Sequence, residues 1–383
     1  MEQSKNILIV TALSGFIRAF LLDDIKILQS MGYTVYCAAN GEIDDRTLDD
    51  NIRQFEKLGV VFIHVPFSSN KPFSKVNWDA FIKIKKILRE TSFDAIHVHT
   101  PIPGVLVRIA AQKYRKTCKV IYTTHGFYFH KGCGKKKWLI YHTIEKAMSL
   151  FSDAIITINN EDYKNAKKMF CKNVFHINGV GVKTEKYDIV VDREKIRREL
   201  NLCDTDIAIL SVGELSNRKN HQVIIKAMKY IKNPNLVYLI CGRAVEGEGT
   251  YNELKELAKN MGVRVQFLGY RKDIPDISKA VDIGAIPSIR EGLGLAGIEM
   301  LAAGLPLVAS NVHGIVDYAI EGETAYLADP YSPEGFAKCI GKLENKVERE
   351  RMKEKCREVA KQFDMSVSHV QRTEIYNNIL KFN

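Results

Sequence analysis

Short apolar segments alternate regularly with longer amphipathic ones along this chain of 383 residues, and this alternation restricts its fold more than any other feature. Short runs of β-branched and aliphatic residues are typical of buried strands, and helical spacing fills the stretches between them. Such β–α alternation predicts a parallel, doubly wound sheet. After a strand at 6–11 we predict a loop at 13–15 and one helix at 16–31. The further strands predicted in this half are 34–39, 60–65, 95–99, 119–124, 154–158 and 174–177.

The pattern then starts again, which predicts a second α/β unit. Its predicted strands are 207–212, 237–241, 265–268, 283–287 and 307–310, and the tail from 332 onward reads as helices without further strands. The glycine-containing segment 178–181 and the polar residues 183–186 form the best linker candidate, so we place the domains at 1–183 and 184–365. Ligands of parallel sheets bind beyond the carboxyl ends of the strands, and two such sheets are predicted to form a ligand cleft.

Composition excludes several protein classes. Hydrophobic residues make up 46% of the chain and charged residues 26%, which is typical of globular domains with sizeable cores. The longest apolar runs are strand-sized, too short to cross a membrane, and the N-terminus does not resemble a signal peptide. The eight cysteines are scattered and include no C-x-x-C pair. We therefore expect reduced thiols in a cytoplasmic protein, without a zinc site or a disulfide framework.

The net charge of +11 is confined to the first half of the chain. Up to Lys183 there are 27 Lys and Arg against 16 Asp and Glu, whereas the remainder is balanced. Residues 101–150 contain ten basic residues and a single acidic one, Glu145. This asymmetry indicates an anionic partner, and no nucleic-acid recognition motif is present. We favour a membrane surface or a lipid-diphosphate acceptor, with simply solvated lysines as the alternative.

One stretch in the second unit carries the clearest signal of a ligand site. Glu291-Gly-Leu-Gly-Leu-Ala-Gly-Ile-Glu299 follows an apolar strand and continues into good helix formers. A strand, a glycine loop and a helix together direct backbone N–H groups at an anion. The two glutamates would repel an anion but accept hydrogen bonds from hydroxyl groups. A nucleotide-sugar satisfies both conditions, with Glu299 on the ribose, Glu291 on the sugar and the amides between them on the diphosphate.

Two other interpretations of this stretch stay open on spacing alone. In one, Glu299 interacts only with the helix dipole and Glu291 is a solvated loop residue. In the other, Gly292-x-Gly294-x-x-Gly297 is the fingerprint of a dinucleotide-binding dehydrogenase. Its late place in the chain counts against the dehydrogenase, and so does the next strand, which is followed by Asn311 instead of an acid for the ribose.

Cations and histidines near other strand ends are weaker candidates. Arg218 and Lys219 lie between a strand and a helix, where they could neutralise a leaving diphosphate, although a solvated loop is the alternative. His125 ends a strand beside a glycine, and a histidine there more often donates to a backbone carbonyl than acts as a base. His97 and His99 resemble a metal pair, but no third ligand follows at a convincing spacing, so no metal is expected.

Taken together, these motifs resemble the retaining GT-B glycosyltransferases of glycosyltransferase family 4. The segment Glu291-x7-Glu299 matches the signature of that family. Further similar stretches occur in family order: His97-Val-His-Thr-Pro101, Thr124-His-Gly-Phe127, Gly179-Val-Gly-Val182, Val212-Gly-Glu-Leu215 with Lys219, and Phe267-Leu-Gly-Tyr270. The likeness is greatest to bacterial capsule and exopolysaccharide transferases, and it covers essentially the whole chain.

The resemblance implies an α/β protein of the GT-B class, with two doubly wound Rossmann-like domains facing across a cleft. It implies a nucleotide-sugar donor, expected to be a UDP-sugar, on the C-terminal domain and a saccharide or polyprenyl-diphosphate-linked acceptor on the N-terminal domain. The anomeric configuration would be retained without a metal or other cofactor, and the final helix, 366–383, would cross back to the first domain.

The same resemblance assigns individual roles. Lys219 would neutralise the leaving diphosphate, Glu291 would hold the donor sugar, and His125 would lie beside that sugar. The donor and nucleotide contacts implied are Gly15, Gly213, Gly242, Arg271, Gly292, Leu293, Gly294, Leu295, Ala296 and Glu299.

Two positions depart from the family pattern. Many members have an arginine where Glu214 stands, and we expect Arg218 to substitute for it. The first loop has Ser14-Gly15 where a glycine pair is common. A nucleotide-sugar 2-epimerase and a non-catalytic partner subunit share the architecture and remain alternatives, the latter disfavoured because the glutamates and Lys219 are present.

Overall fold

The computed structural model describes residues 5–42, 47–68, 71–245 and 250–380, and these form two compact units. The first unit comprises the chain up to Val180 together with Ser366 onward, and the second comprises Gly181–Met365. The predicted linker placed the first boundary between residues 183 and 184, and the final helix implied by the resemblance placed the second between residues 365 and 366.

The first unit is built on a seven-stranded sheet in which all neighbouring strands are parallel. The strand order is β3-β2-β1-β4-β5-β6-β7. The strands β2 and β3 are thus added on one side of β1, and β4 to β7 are added on the other side. Its strands are β1 Lys5–Leu13, β2 Tyr33–Asn40, β3 Val61–His64, β4 Ala95–His99, β5 Lys119–Thr124, β6 Ala154–Thr157 and β7 Val174–His176. Its helices are α1 Ser14–Phe20, α2 Leu22–Ser30, α3 Leu48–Lys57, α4 Lys75–Glu90, α5 Pro101–Ala110, α6 Lys135–Met148, α7 Asn160–Ala166 and the last helix of the chain, α15 Met365–Leu380.

The second unit repeats this plan with six parallel strands in the order β10-β9-β8-β11-β12-β13. Its strands are β8 Ile207–Val212, β9 Leu236–Cys241, β10 Arg264–Gly269, β11 Ile283–Ile286, β12 Leu307–Ser310 and β13 Ala325–Ala328. Its helices are α8 Arg193–Glu199, α9 His221–Ile231, α10 Thr250–Met261, α11 Ile274–Ala280, α12 Leu295–Ala302, α13 Pro333–Leu343 and α14 Lys346–Lys361.

Strands β4, β9, β11 and β12 are buried along their whole length, as expected for central strands covered by helices on both faces. None of the helices described is both long and apolar enough to span a bilayer. All eight cysteines are free of disulfides.

Two sequence predictions about the fold are wrong, and one strand was missed. The segment 13–15 is not a loop, because β1 extends to Leu13 and α1 begins directly at Ser14. The helix predicted at 16–31 is broken at Leu21, whose dihedral angles leave the helical region (φ −118°, ψ 8°). A further strand, β13, follows β12. It has only four residues and its hydrogen bonds are made to β12, so local pattern gave little signal for it.

Candidate functional site

Two loops of the second unit meet at one edge of its sheet. β8 and β11 are adjacent parallel strands, so the loops that follow them leave the sheet on the same side. The backbone N–H of Ile289 donates to the carbonyl of Arg218 at 2.9 Å. The buried amide of Asn220 donates to the carbonyls of Pro287 (3.0 Å) and Pro330 (2.8 Å). These bonds hold the loop after β8 to the loop after β11, 67 positions away at Pro287, and to Pro330, 110 positions away.

The carboxylate of Glu291 is the centre of this junction. Its Oε1 lies 2.7 Å from Nζ of Lys219 and 2.8 Å from Nη1 of Arg218. Ser288 donates its hydroxyl to the same oxygen at 2.9 Å. The predicted catalytic residues Lys219, Arg218 and Glu291 are therefore brought into direct contact. The solvated-loop alternative is wrong for Glu291 and Lys219, whereas Arg218 stays half-exposed.

The protonation state of Glu291 follows from these contacts. Only 8% of the residue is exposed, and this burial alone would raise the pKa of the carboxyl group. The ammonium of Lys219 and the guanidinium of Arg218 outweigh burial and hold the pKa below its usual value. Glu291 is therefore an anion at neutral pH, so it can only accept hydrogen bonds.

Arg218 is shared between two glutamates. Its Nη1 contacts Glu291, and its Nη2 lies 2.9 Å from Oε1 of Glu214. Glu214, the residue that replaces an arginine of the family pattern, thus faces the cation expected to substitute for that arginine. Along the row Glu214, Arg218, Glu291, Lys219 the charges alternate in sign and sum to zero.

The glycine loop leads into α12 without a capping side chain. Gly294 occupies the N-cap position in a left-handed conformation (φ 83°) that a side chain rarely adopts. Because a glycine cannot accept hydrogen bonds through a side chain, the first amides of α12 keep their capacity to bind an anion. Leu293 is buried, whereas Gly292, Leu295 and Ala296 are partly exposed.

A neighbouring segment supports the glycine loop from behind. The N–H of Gly314 donates to the carbonyl of Glu291 at 3.3 Å, and the hydroxyl of Tyr318 donates to the carbonyl of Gly294 at 3.1 Å. A Cβ atom on Gly314 would lie 2.0 Å from the carbonyl oxygen of Gly292. This approach is too close for any residue except glycine.

Glu299 lies one turn inside α12 and has a partner that the sequence did not indicate. It accepts a hydrogen bond from the hydroxyl of Tyr187, a buried residue in the turn Thr184–Tyr187. Burial raises the pKa of Glu299, and the bond from Tyr187 acts in the opposite direction. The carboxylate is thus oriented by a phenol before any ligand binds.

The remaining candidates of this unit follow strands β8, β9 and β10, which are neighbours in the sheet. Gly213 follows β8, and a Cβ there would lie 2.9 Å from Cε of Lys219. The side chain of Lys219 therefore packs against the backbone of Gly213. Gly242 follows β9, and a Cβ there would meet the carbonyl oxygen of Gly213 at 1.7 Å. Arg271 follows β10 and pairs with Asp273, its Nε lying 2.8 Å from Oδ1.

His125 and Gly15 belong to the first unit, so their predicted contacts with the donor stay predictions. Gly15 lies in the first turn of α1. His125 follows β5, and its Nε2 lies 3.0 Å from Nδ1 of His99 at the end of the adjacent strand β4. Burial lowers the pKa of His125 to about 4. Nε2 of His125 thus bonds another imidazole and not a backbone carbonyl.

A buried polar chain lies next to these histidines. The hydroxyl of Tyr376 is 2.8 Å from Oδ1 of Asp24 and 2.9 Å from Nδ1 of His97, and Nε2 of His97 is 2.7 Å from Oγ1 of Thr123. Because a carboxylate only accepts, Tyr376 donates to Asp24 and accepts from His97. Neutral His97 therefore carries its proton on Nδ1 and accepts from Thr123. In the ranges that the structure describes, no three His, Cys, Asp or Glu side chains are grouped so that they could hold a metal ion.

Comparisons with known proteins identify the family. Residues 192–362 match the family model described as Glycosyl transferases group 1, and residues 23–185 match Glycosyltransferase Family 4. The chain is 31% identical to EpsD of Bacillus subtilis (strain 168), a protein with a glycosyltransferase name, across 98% of this chain and 97% of EpsD. The chain belongs to the glycosyltransferase family that these two models describe. The dehydrogenase interpretation of the glycine loop is thereby wrong.

A second relative agrees with this assignment, and two solved structures share the fold. An Escherichia coli UDP-Gal:α-D-GlcNAc-diphosphoundecaprenol α-1,3-galactosyltransferase is 30% identical, over 79% of this chain and 77% of its own length. A Rickettsia africae glycosyltransferase superposes with a TM-score of 0.78 at 20% identity, over the whole of both chains. Anabaena HepE in complex with UDP gives 0.78 at 18% identity, over 98% of this chain and 100% of HepE. The predicted GT-B fold class is confirmed.

Sequence reasoning missed several side chains around the site of this glycosyltransferase. Ser288 stands three residues before Glu291 in a strand-to-helix loop, and that spacing was a usable signal. Tyr187 and Tyr318 gave no such signal, because their contacts with Glu299 and Gly294 arise only from folding. Glu214 was noticed as a departure from the family, but its ion pair with Arg218 could not be read from the sequence.

Proposed function

We propose that this protein transfers a sugar from a nucleoside diphosphate, with UDP as the favoured nucleotide, to a saccharide or lipid-linked saccharide in surface polysaccharide biosynthesis. The observation that carries the proposal is the contact of Lys219 and Arg218 with Glu291 at the entrance of α12. Two cations and a helix N-terminus suit a diphosphate, and an anionic carboxylate suits the hydroxyls of a sugar. HepE, which shares the fold, has been solved with UDP and with UDP-glucose.

The proposed reaction retains the anomeric configuration. The bond between the anomeric carbon and the diphosphate oxygen breaks, and the acceptor hydroxyl forms the new bond on the same face. The proton of the acceptor passes to the departing diphosphate oxygen, so no protein nucleophile is required. Lys219 and Arg218 would neutralise the charge that develops on the diphosphate, which is the largest contribution expected from the protein.

The two glutamates would position the donor at its ends. Glu291, held as an anion by its two cations, would accept hydrogen bonds from hydroxyls of the transferred sugar. Glu299, already oriented by Tyr187, would accept from the hydroxyls of the ribose. Because Lys219 and Arg218 provide the positive charge, we propose that the reaction does not depend on a divalent metal.

The acceptor class is proposed from a relative. The Escherichia coli galactosyltransferase has a diphosphoundecaprenol-linked saccharide in its name, and it matches 79% of this chain. A diphosphate acceptor is also compatible with the excess of basic residues in the first half of the chain.

A two-stage experiment tests the proposal. Thermal-shift measurements with UDP, GDP, ADP and their sugar conjugates should show the largest stabilisation for one nucleotide class, since a ligand specific for the native state raises the melting temperature. NMR of the selected donor, with and without a lipid-diphosphate saccharide and with EDTA present, should then show a retained glycosidic product only with acceptor. Interconversion of the donor without acceptor would identify an epimerase, and stabilisation without any turnover would identify a non-catalytic subunit.

A further inference from the structure

We infer that the second unit contains a second anion site, for the phosphate ester of a small sugar, at the end of α12 opposite to the glycine loop. The helix begins at the glycine loop, where the donor is proposed to bind, and ends at Ala302. Beyond that end lies a cavity of about 610 Å³, a volume typical of small-molecule sites. The described residues that line this cavity include none of those assigned to the donor.

The cavity lies at the amino-terminal edge of the parallel sheet. Its lining includes residues that come directly before three neighbouring strands: Asp206 before β8, Asp282 before β11 and Pro306 before β12. The glycine loop, by contrast, follows the carboxyl end of β11. Because the strands are parallel, the cavity and the donor site lie at opposite edges of the sheet, and a ligand in one leaves the other accessible.

Three cations meet where α12 ends. A Cβ atom on Gly304, two residues past the helix, would lie 3.0 Å from both Nε of Arg357 and Cγ of Lys353. Burial lowers the pKa of the third cation, Lys279. The charges of Arg357 and Lys353 act in the same direction, whereas Asp188 opposes them. The three cations are thus close enough to repel one another, and an anion between them would remove that repulsion.

The neighbouring carboxylates neutralise these cations only weakly. Lys353 lies 3.3 Å from Glu350, and Arg357 lies 3.7 Å from Glu354. The two glutamate side chains are 58% and 83% exposed, and exposed pairs contribute little, so both cations can turn to a ligand. Within the described ranges, Lys279 forms no ion pair.

A second group of cations lines the same cavity. The carboxylate of Asp282 is shared by three arginines, at 2.9 Å from Arg193, 3.3 Å from Arg197 and 3.6 Å from Arg349. One carboxylate among three guanidinium groups leaves an excess of two positive charges. The side chain of Arg193 is 47% exposed, so its remaining N–H donors can reach a phosphate, whose geometry a guanidinium matches.

The rest of the lining suits sugar hydroxyls. Asp204 and Thr205 line the cavity, and a carboxylate accepts hydrogen bonds from hydroxyls but repels a phosphate. Ser278 of α11 also lines it, is buried, and has a hydroxyl without a hydrogen-bond partner among the described residues. Buried polar groups are nearly always paired, so this hydroxyl is available to a ligand. The cavity is also too large for a lone phosphate ion to fill, which favours a sugar phosphate.

Isothermal titration calorimetry of the full-length protein saturated with UDP tests the site. UDP occupies the ribose and diphosphate positions of the donor site, so the probe, ribose 5-phosphate, is left with the second site. We expect ribose 5-phosphate to bind more tightly than inorganic phosphate, ribose not to bind, and salt to weaken the binding. Lys279→Gln with Arg357→Gln should lower the affinity for ribose 5-phosphate about tenfold to a hundredfold, because hydrogen bonds from charged groups are lost.

Matched variants separate this site from net charge and from unfolding. Lys259→Gln with Arg89→Gln removes two charges at exposed positions elsewhere and should bind ribose 5-phosphate like the wild type. Lys279→Arg keeps its charge in the cavity and should retain most of the affinity. Ser278→Ala removes a hydroxyl without a partner in the described chain, so the fold should persist. It should weaken ribose 5-phosphate about threefold to tenfold and leave inorganic phosphate unchanged.

Three outcomes would overturn the inference. These are no binding of ribose 5-phosphate to the wild type, equal losses in the Lys259 and Arg89 control, and binding that disappears when UDP is present. UDP is titrated into the same variants, and the change at Lys279 and Arg357 should leave its affinity unchanged. If UDP does not bind the wild type, the proposed function fails, and titration of ribose 5-phosphate alone into the same variants still decides the second site.

Discussion

At the scale of single residues, the candidate site is a row of four alternating charges. The charges of Glu214, Arg218, Glu291 and Lys219 sum to zero. A diphosphate adds negative charge, so the two cations must share their hydrogen bonds between Glu291 and the ligand. Glu291 thus has two functions in this proposal, since it positions both cations and remains an acceptor for sugar hydroxyls.

Lys219→Ala tests the cation in direct contact with Glu291. We expect kcat to fall about a hundredfold to a thousandfold with a much smaller change in KM for the donor, because the lysine acts on charge that develops as the diphosphate leaves. Steady-state kinetics measure both constants, with Lys229→Ala on the exposed side of α9 as the control. An unchanged kcat would remove Lys219 from catalysis.

Glu214→Gln tests whether the glutamate restrains Arg218. Without this partner the guanidinium should be free to face the diphosphate, and the dissociation constant of UDP should fall about twofold to fivefold, since an exposed ion pair contributes up to about 1 kcal/mol. Calorimetry at low salt measures the change, with Glu256→Gln on α10 as the control. Weaker UDP binding would instead mean that Glu214 holds Arg218 in its productive position.

The buried His97 predicts a dependence of stability on pH. Burial lowers its pKa in the folded protein to about 4, whereas an unfolded histidine titrates near 6.5. Between these values the unfolded state binds more protons, so His97 should lower the free energy of unfolding as the pH drops from 6.5 to 4, by about 2 kcal/mol at pH 5. Hydrogen exchange of the β4 and β5 amides measures the free energy of unfolding at each pH. His97→Gln should reduce the slope, and an identical slope would contradict the assignment.

At the scale of elements, the site depends on where strands end and which loops touch. The glycine loop is held from behind by the segment around Gly314, where a Cβ atom would lie 2.0 Å from the carbonyl oxygen of Gly292. The sequence identified the loop itself, since its residues are local to one strand and one helix. It could not identify its support, which is twenty residues away and joined only by tertiary contact.

Gly314→Ala should therefore displace the glycine loop. We expect a loss of about 1–3 kcal/mol in stability from overpacking, together with weaker donor binding, because the obstacle is backbone that cannot rotate away. Thermal unfolding and UDP titration measure the two effects. Gly341→Ala in α13 is the matched control, since a Cβ there meets no atom closer than 3.9 Å and should leave both quantities unchanged or slightly improved. Equal behaviour of the two variants would refute the supporting contact.

At the scale of the whole molecule, the last helix completes the first unit. Arg372 of α15 lies 2.6 Å from Asp24 and 2.7 Å from Asp23 on α2, and Tyr376 joins Asp24 to His97. By its contacts, the segment from Ser366 onward belongs to the first unit. Helices α2 and α15 are therefore joined by the buried ion pair between Asp24 and Arg372.

Arg372→Ala should destabilise the first unit by about 3–5 kcal/mol, because it leaves Asp24 buried without its cation. Hydrogen exchange should show faster opening of amides in β1 and β4, with those of β8 and β11 unchanged. Arg372→Met combined with Asp24→Asn should recover much of the loss, since no unpaired charge remains. Arg89→Ala, on an exposed arginine, is the control. Equal loosening of both units would contradict this local coupling.

The sequence by itself determined the two parallel sheets, nearly every strand, the glycine loop and the residue types of the site. These features are local, because hydrophobic period, helix formers and glycine spacing act over a few neighbouring residues. Tertiary structure decided the break at Leu21, the strand β13 paired to β12, and the partners of Glu291, Glu299 and His97. Those contacts join residues tens to hundreds of positions apart, and only strand order and burial fix which side chains meet and how they ionise.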